Sequence, residues 1–305
     1  MDCHGPRLAV PCKQPVFKHT PHRDLGACIV SWLTQRHGAQ FAARKREVAD
    51  KLQTLRQAAL QGDTSQAGCR ALIGYFHCLS ALGPALPFGT DEARGQLHVR
   101  FEWSSAYKQT ERTKAYVPLL ECVAVLFNAA ASMSAQAAME AGKRSSPESL
   151  KRQCNHFQTA AGIFMYIREE LQFELESRGV GSPLTEDLSS AGLHALESLM
   201  LAQAQECFFE SAQLNKMSPK VLAKVASGTA VAFATAAEYA APSSRITEIS
   251  RSVQPYALVQ QLHYEAVAQL LLAEALIAEE SEAIGEGIQR LRVRADIIGH
   301  ARNNM

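Results

Sequence analysis

The side chains best suited to catalysis are few and scattered in this sequence. The densest carboxylate pairs are Glu169–Glu170 and Glu279–Glu280, and His156 and His194 each stand alone in a helical pattern. Neighbouring acids on a helix are typical of a solvated face, and acid–base catalysis needs a second group within hydrogen-bond reach. The sequence also contains no P-loop, no G-x-G-x-x-G fingerprint, no G-x-S-x-G elbow and no H-E-x-x-H pair. We therefore expect no enzymatic activity and no cofactor.

The eight cysteines and ten histidines do not form a metal-binding pattern. No two cysteines are spaced as C-x-x-C, and Cys122, Cys154 and Cys207 fall in apolar helical segments, where cysteine packs as a small hydrophobe. Three histidines near the N-terminus are loosely spaced, which is typical of a solvated segment. We expect no metal site, and the unpaired thiols indicate a cytoplasmic protein.

Composition limits the possible partners. The 305 residues carry a net charge of +1, whereas nucleic-acid-binding proteins usually show a strong basic excess. Two apolar segments, 116–139 and 221–241, approach the length of a membrane span, but they contain Glu121 and Lys224, which a lipid interior would not readily accept. We expect no nucleic acid, no small-molecule substrate and no direct insertion into a membrane.

Helical periodicity dominates the rest of the chain. The predicted helices are two within 24–60, one over 66–82, long helices over 116–141 and 147–178, the two arms of a hairpin over 185–217 and 218–241, and two more over 246–278 and 283–301. Successive long helices joined by short loops are typical of a tetratricopeptide-like helical solenoid. The predicted fold class is therefore mainly α.

One segment has a different period. Apolar and polar residues alternate over 96–103, which predicts a half-buried strand. A strand needs a partner, and we expect RLAV (7–10) or another N-terminal segment to supply it. The prediction is a small N-terminal β-sheet attached to the helical body, with residues 1–16 as an extended or disordered lead-in.

The hairpin over 185–241 has the most unusual sequence. Its first arm contains LMLAQAQE (199–206), in which polar residues interrupt an otherwise apolar helix, and we expect this segment to fix the rotation of the arm. A turn near Lys216–Ser218 brings Phe208 and Val225 to a similar height, and Val221 and Val225 share a helix face. Periodicity alone does not decide whether Phe208 or Phe209 points outward.

Several motifs resemble the Bro-one domain family, which includes ALIX, the HD-type tyrosine phosphatase and the rhophilins. In chain order they are KLQTLRQAAL (51–60), FEWSSAY (101–107), LLECVAVLFNAAASMSAQAA (119–138), HFQTAAGIFMYIREEL (156–171), and LMLAQAQECFF followed by KMSPKVLAKVA in the hairpin. On this resemblance we assign residues 17–305 to a Bro-one-type domain, whose C-terminal end this chain is expected to lack.

The resemblance implies both a fold and a partner. The implied fold is a curved, boomerang-shaped solenoid with a small N-terminal sheet. The implied function is an adaptor that binds the C-terminal amphipathic helix of a Snf/CHMP-type ESCRT-III subunit in endosomal sorting and membrane budding, recruited from the cytoplasm to endosomes through its partners. The implied binding residues are Phe208, Val221 and Val225, with Phe208 outward and Phe209 inward, and a basic contact at Lys151.

Two alternatives stay open at this point. One is a rhophilin-like signalling scaffold for a small GTPase, although the coiled segment that usually binds the GTPase is not evident near the N-terminus. The other is a truncated isoform with impaired folding, because the last solenoid helices would lack a covering turn.

Overall fold

A computed structural model describes residues 13–90, 94–141, 146–178, 184–278 and 284–303 of the chain. These ranges are mainly α-helical, as predicted. The helices are α1 (Leu25–His37), α2 (Ala39–Ala59), α3 (Gln66–Leu82), α4 (Pro118–Ala141), α5 (Pro147–Tyr166), α6 (Gln172–Ser177), α7 (Ser190–Leu214), α8 (Pro219–Tyr239), α9 (Glu248–Ala278) and α10 (Ile284–Asn303). Helices adjacent in sequence pack together, α1 on α2, α2 on α3, α8 on α9 and α9 on α10.

The chain forms two compact units. The sheet unit contains Pro15–Gln136 and Gly162–His194, and the hairpin unit contains Met1–Gln14, Ala137–Ala161 and Ala195–Met305. The sheet unit therefore holds α1 to α3 and the strands, and the hairpin unit holds most of α7 and all of α8 to α10.

The small sheet is present, but within the described residues its second strand lies downstream of the first rather than in the expected N-terminal segment. Strand β1 (Phe101–Ser104) pairs antiparallel with β2 (Arg112–Ala115), with Phe101 opposite Ala115. A partner only a few residues downstream closes a short loop, which costs less chain entropy than recruiting a distant segment. The RLAV segment (7–10) lies outside the described residues.

Residues 13–24 support the sheet without forming a strand themselves. The carbonyl oxygen of His19 accepts a hydrogen bond from the backbone N–H of Ser104 (2.8 Å). The predicted strand is also shorter than expected, because Leu97 makes only an isolated parallel bridge to Phe88.

A buried lysine holds the N-terminal segment inside the sheet unit. The Lys18 ammonium lies 2.6 Å from Asp187 Oδ2, and both side chains are fully buried. It also donates to the carbonyl oxygen of Ser104 (2.9 Å) and lies 5.1 Å above the Phe127 ring. Desolvation lowers the pKa of Lys18, and the Asp187 carboxylate opposes that shift.

A buried carboxylate organises the core of the same unit. Glu121 on α4 accepts hydrogen bonds from the Arg56 guanidinium (2.6 Å), the Trp103 indole (2.6 Å) and the Tyr75 hydroxyl (3.1 Å). These side chains come from α2, β1, α3 and α4, so one charged group links four elements. A charge is stable in such a place only when it is paired and hydrogen-bonded.

Within the described residues, two helices, α4 and α8, have the length and composition of a membrane span. The apolar window of α4 is 78% buried inside the protein, and its Glu121 is occupied by internal partners. This is the environment of a core helix. The corresponding window of α8 is only 39% buried, so much of its surface faces away from the protein.

The predicted helix over 147–178 is not a uniform α-helix. Residues Ile167–Leu171 form a π-helical segment between α5 and α6. The buried side chains change spacing there, from Phe164 and Ile167 to Gln172 and Leu175, with a step of five positions from the second to the third. The extra residue of a π-turn keeps this buried face continuous, which a strict 3.6-residue period would not do.

Two partly buried histidines make the free energy of unfolding depend on pH. Burial lowers the pKa of His156 and of His263 below the ordinary value of 6.5, and Arg152 and Arg294 respectively lower it further, while Glu140 opposes the shift at His156. The unfolded chain therefore binds these protons more tightly than the folded protein does. The stabilisation is complete above pH 6.5 and is lost as the pH falls through the lower folded pKa values.

We expect urea unfolding, followed between pH values of about 7.5 and 5, to show wild-type stability falling more steeply than that of His156→Gln/His263→Gln. The comparison with the double variant removes the contribution of the carboxylates, which is common to both proteins. Parallel stability curves for the two proteins would contradict this prediction.

Candidate partner-binding surface

The hairpin of α7 and α8 turns tightly. Lys216 adopts a left-handed conformation (φ 52°), and the N–H of Met217 donates to the carbonyl oxygen of Ala212 (3.2 Å). A left-handed residue of this kind commonly ends a helix. Helix α8 then begins at Pro219, where the missing N–H of proline costs nothing. The two arms are therefore antiparallel and adjacent, as predicted.

One close approach supports the register that the turn predicts between the arms. A Cβ atom placed on Gly228 would lie 3.7 Å from Gln205 Nε2, so Gln205 on α7 faces Gly228 on α8. In antiparallel helices, moving one residue toward the N-terminus of one arm corresponds to moving one residue toward the C-terminus of the other. Phe208 therefore faces Val225, and Val221 lies one helical turn, about 6 Å, closer to the loop.

Exposure settles which phenylalanine points outward. Phe208 is 50% exposed and Phe209 only 4% exposed, so Phe208 lies on the surface and Phe209 in the core, as the resemblance implied. Val221 is 42% exposed and Val225 is half-buried. All three apolar side chains are thus at least partly exposed on the hairpin, and we call Phe208, Val221 and Val225 the hairpin patch.

Aromatic packing beneath the patch explains this orientation. The Phe209 ring packs edge-to-face on Tyr264 of α9 (5.3 Å between centroids), and Phe233 of α8 stacks on the same ring (6.0 Å). The Tyr264 hydroxyl donates to Glu206 (2.9 Å). Burial, and then the neighbouring Glu206 carboxylate, raise the pKa of Tyr264 well above its ordinary value. Adjacent residues on a helix point about 100° apart, so a buried Phe209 directs Phe208 away from the core.

Two polar residues of LMLAQAQE, Gln203 and Glu206, have internal partners. Gln203 is fully buried and donates to the carbonyl oxygen of Lys13 (3.1 Å), while Glu206 accepts from Tyr264. These contacts support the expectation that this segment orients α7. Gln203 and Glu206 are three positions apart and therefore share a helix face, and this spacing is the sequence signal for a polar face that points inward.

Basic side chains surround the loop end of the hairpin. Lys216, Lys220 and Lys224 are exposed on the loop and on the first turns of α8. Lys224 lies one turn from Val221, and the family resemblance did not indicate it as a binding residue. Lys151 is exposed on a different helix, α5, within the same compact unit. The hairpin patch is therefore apolar with a positively charged margin.

The candidate catalytic residues do not converge. Glu169 and Glu170 are exposed on the π-helical segment, as their solvated interpretation predicted, whereas Glu279–Glu280 lie outside the described residues. Within the described part of the chain, histidine, cysteine and carboxylate side chains form no group of three that could hold a metal ion.

Known proteins are similar to this chain in sequence and fold. A model of the BRO1-like domain matches residues 14–305. The chain is 31% identical over 231 residues to "ALG-2 interacting protein X" of Dictyostelium discoideum, covering 76% of this chain and 27% of that protein. It is 30% identical over 283 residues to "Vacuolar-sorting protein BRO1" of Arabidopsis thaliana, covering 88% and 32%. The chain thus spans about a third or less of the length of these relatives.

A solved structure gives the same fold. The structure entitled "ALIX BRO1 CHMP4C complex" superposes with a TM-score of 0.79 at 26% identity, covering 95% of this chain and 80% of that one. This agreement confirms the predicted fold class, a mainly helical solenoid with a small sheet. Because the family model covers almost the whole sequence, the chain belongs to the BRO1-like domain family.

Proposed function

We propose that this chain is a non-enzymatic adaptor whose hairpin patch binds the C-terminal amphipathic helix of a Snf/CHMP-type ESCRT-III subunit. The observation that carries the proposal is the exposed Phe208, which lies level with Val225 on the hairpin of a fold shared with a CHMP4C-bound relative. The adaptor works in the cytoplasm and reaches endosomal membranes through its partner. Its role is in endosomal sorting, in keeping with the vacuolar-sorting relative.

The patch suits an apolar helix face. A partner helix presents side chains at i, i+3 or i+4 and i+7, and such residues can reach Phe208 and the two valines together. Burying apolar surface contributes about 25 cal/mol per Å², so one half-exposed phenylalanine and two valines supply a few kcal/mol. The valines are short, which makes the patch shallow and favours a modest affinity.

Charge supports an acidic partner. The exposed lysines lie at the loop end of the hairpin and on α5, and they favour a helix that carries carboxylates beside its apolar face. Ion pairs at such an exposed margin contribute mainly to the association rate and to specificity.

The direct test is a titration of the intact chain against peptides spanning the C-terminal helices of several ESCRT-III subunits, including CHMP4C. We expect saturable binding of at least one peptide, at roughly micromolar affinity. Absence of binding across the panel would overturn the proposal. A pulldown that recovered a small GTPase and no ESCRT-III subunit would favour a rhophilin-like scaffold instead.

Lys151 provides a smaller, electrostatic test. We expect Lys151→Glu to weaken peptide binding by roughly three- to tenfold at low salt, because a like charge replaces an attractive one. The loss should shrink when the salt is raised to about 0.5 M, where exposed charges are screened. Lys51→Glu, an exposed charge reversal on α2 in the other unit, is the matched control and should bind normally. A salt-independent loss would place Lys151 outside this role.

A further inference from the structure

The apolar face of the hairpin continues beyond the patch. Leu201 lies seven residues before Phe208 on α7, which is two helical turns or about 10.5 Å along the axis. The two positions differ by only about 20° around the helix, so they share a face. Leu201 is 48% exposed, nearly the same fraction as Phe208.

The residues of α8 that lie opposite the segment from Phe208 to Leu201 have small side chains or none. The register that pairs Gln205 with Gly228 also places Leu201 opposite Ala232 on α8. Gly228 is exposed and has no side chain, and Ala232 has only a methyl group. Beyond Val225, the α8 side of the hairpin therefore presents no bulky residue opposite Leu201, and we call the strip of surface from Val221 to Leu201 the groove.

Exposed positive charge lies at one end of this groove, and the other end is marked by apolar residues. Lys216, Lys220 and Lys224 are all at the loop end, near Val221. The far end is marked by the exposed Leu201 and by the small residue opposite it. A partner that matches the groove carries its acidic residues near the loop end and an apolar residue at the far end.

We propose, building on the function proposed above, that the partner helix occupies this whole groove and carries a second apolar anchor on Leu201. Two parallel helices have the same rise per residue, so a separation of about 10.5 Å on α7 corresponds to seven residues on the partner. The preferred partner is thus an amphipathic helix of at least about four turns, with apolar anchors seven positions apart on Phe208 and Leu201.

The test uses the intact chain and a peptide spanning the C-terminal helix of CHMP4C. We expect Leu201→Gln to weaken binding by about tenfold, as is usual when a peripheral anchor of an interface is lost. Val231→Gln should leave affinity unchanged. Val231 is 63% exposed on α8, but it points about 80° away from Val221 and about 120° away from Val225, so it lies outside the groove.

Failure of this inference is distinguishable from failure of the proposed function. If Phe208→Asp abolishes binding and Leu201→Gln binds within twofold of wild type, the second anchor does not exist while the patch stands. If neither substitution weakens binding, the proposed function itself is wrong. Helix content and cooperative unfolding of each variant show whether its loss of affinity comes from the altered surface.

Alanine substitutions in the peptide give an independent measurement that does not depend on folding of the variants. Paired with Phe208→Ala and with Leu201→Ala, they identify the peptide position coupled to each residue. Coupled positions seven apart support the proposal. Positions only three apart would indicate an extended peptide, and no position coupled to Leu201 would indicate a shorter helix; either result overturns it.

Discussion

Replacing Phe208 with Asp is expected to weaken binding of the CHMP4C helix by about a hundredfold or more. The substitution removes the largest exposed side chain of the hairpin patch. It also requires a carboxylate to be desolvated against an apolar partner face, a penalty that adds to the lost contact. Because Phe208 is half-exposed in the free protein, its replacement leaves the core aromatic cluster of Phe209, Phe233 and Tyr264 intact. Titration with a labelled peptide measures the effect.

Two controls sharpen the Phe208 experiment. Val231→Asp introduces the same charge at a more exposed position on α8, outside the groove, and should bind normally. Phe209→Asp should unfold the hairpin unit because Phe209 is buried, so its loss of binding would accompany a loss of helix content. If Phe208→Asp bound the peptide as tightly as wild type, the hairpin patch would not be the binding site.

The largest effect on stability is expected from Glu121→Ala, which should lower the free energy of unfolding by about 3–5 kcal/mol. The substitution leaves the buried Arg56 guanidinium without its carboxylate and removes the acceptor for the Trp103 indole and the Tyr75 hydroxyl. A buried charge without a counter-charge is far more costly than the pair that it came from. Urea unfolding followed by circular dichroism measures the difference.

A surface ion pair and a double variant test the cause of that loss. Glu111→Ala removes an exposed carboxylate that pairs with Lys108 and should change stability by less than about 1 kcal/mol. Arg56→Met combined with Glu121→Leu removes both charges and should recover much of the lost stability. If the double variant were as unstable as Glu121→Ala, packing rather than the unpaired charge would explain the effect.

The outline of the helices could be read from the sequence because helical periodicity is a local property. Helix α3 begins and ends where predicted, at residues 66 and 82, and Asp24 caps α1 through the N–H of Ala27 (2.8 Å). Such signals depend on neighbours within one turn of the chain. The π-helical segment at Ile167–Leu171 was not predicted, because its extra residue is required by the spacing of the buried side chains in the folded protein and not by a local sequence signal.

Long-range pairings were beyond the sequence for a related reason. Among the described residues β1 pairs with β2, which lies downstream of it, and Lys18 pairs with Asp187, which is 169 positions away along the chain. Alternating hydrophobicity predicts that a strand needs a partner without indicating which one. The sequence does not distinguish a buried lysine from a solvated one, because the fold brings a distant carboxylate beside the buried one.

The sequence by itself determined a helical protein, a hairpin with a turn near Lys216, and the equal height of Phe208 and Val225. It also supplied the family resemblance that selected Phe208. The tertiary structure decided which face of α7 is buried, because polar and apolar residues are spread around this helix and its period does not single out one face. Packing of Phe209 against Tyr264, together with the internal bonds of Gln203 and Glu206, selects the buried face and leaves Phe208 and Leu201 on one exposed face.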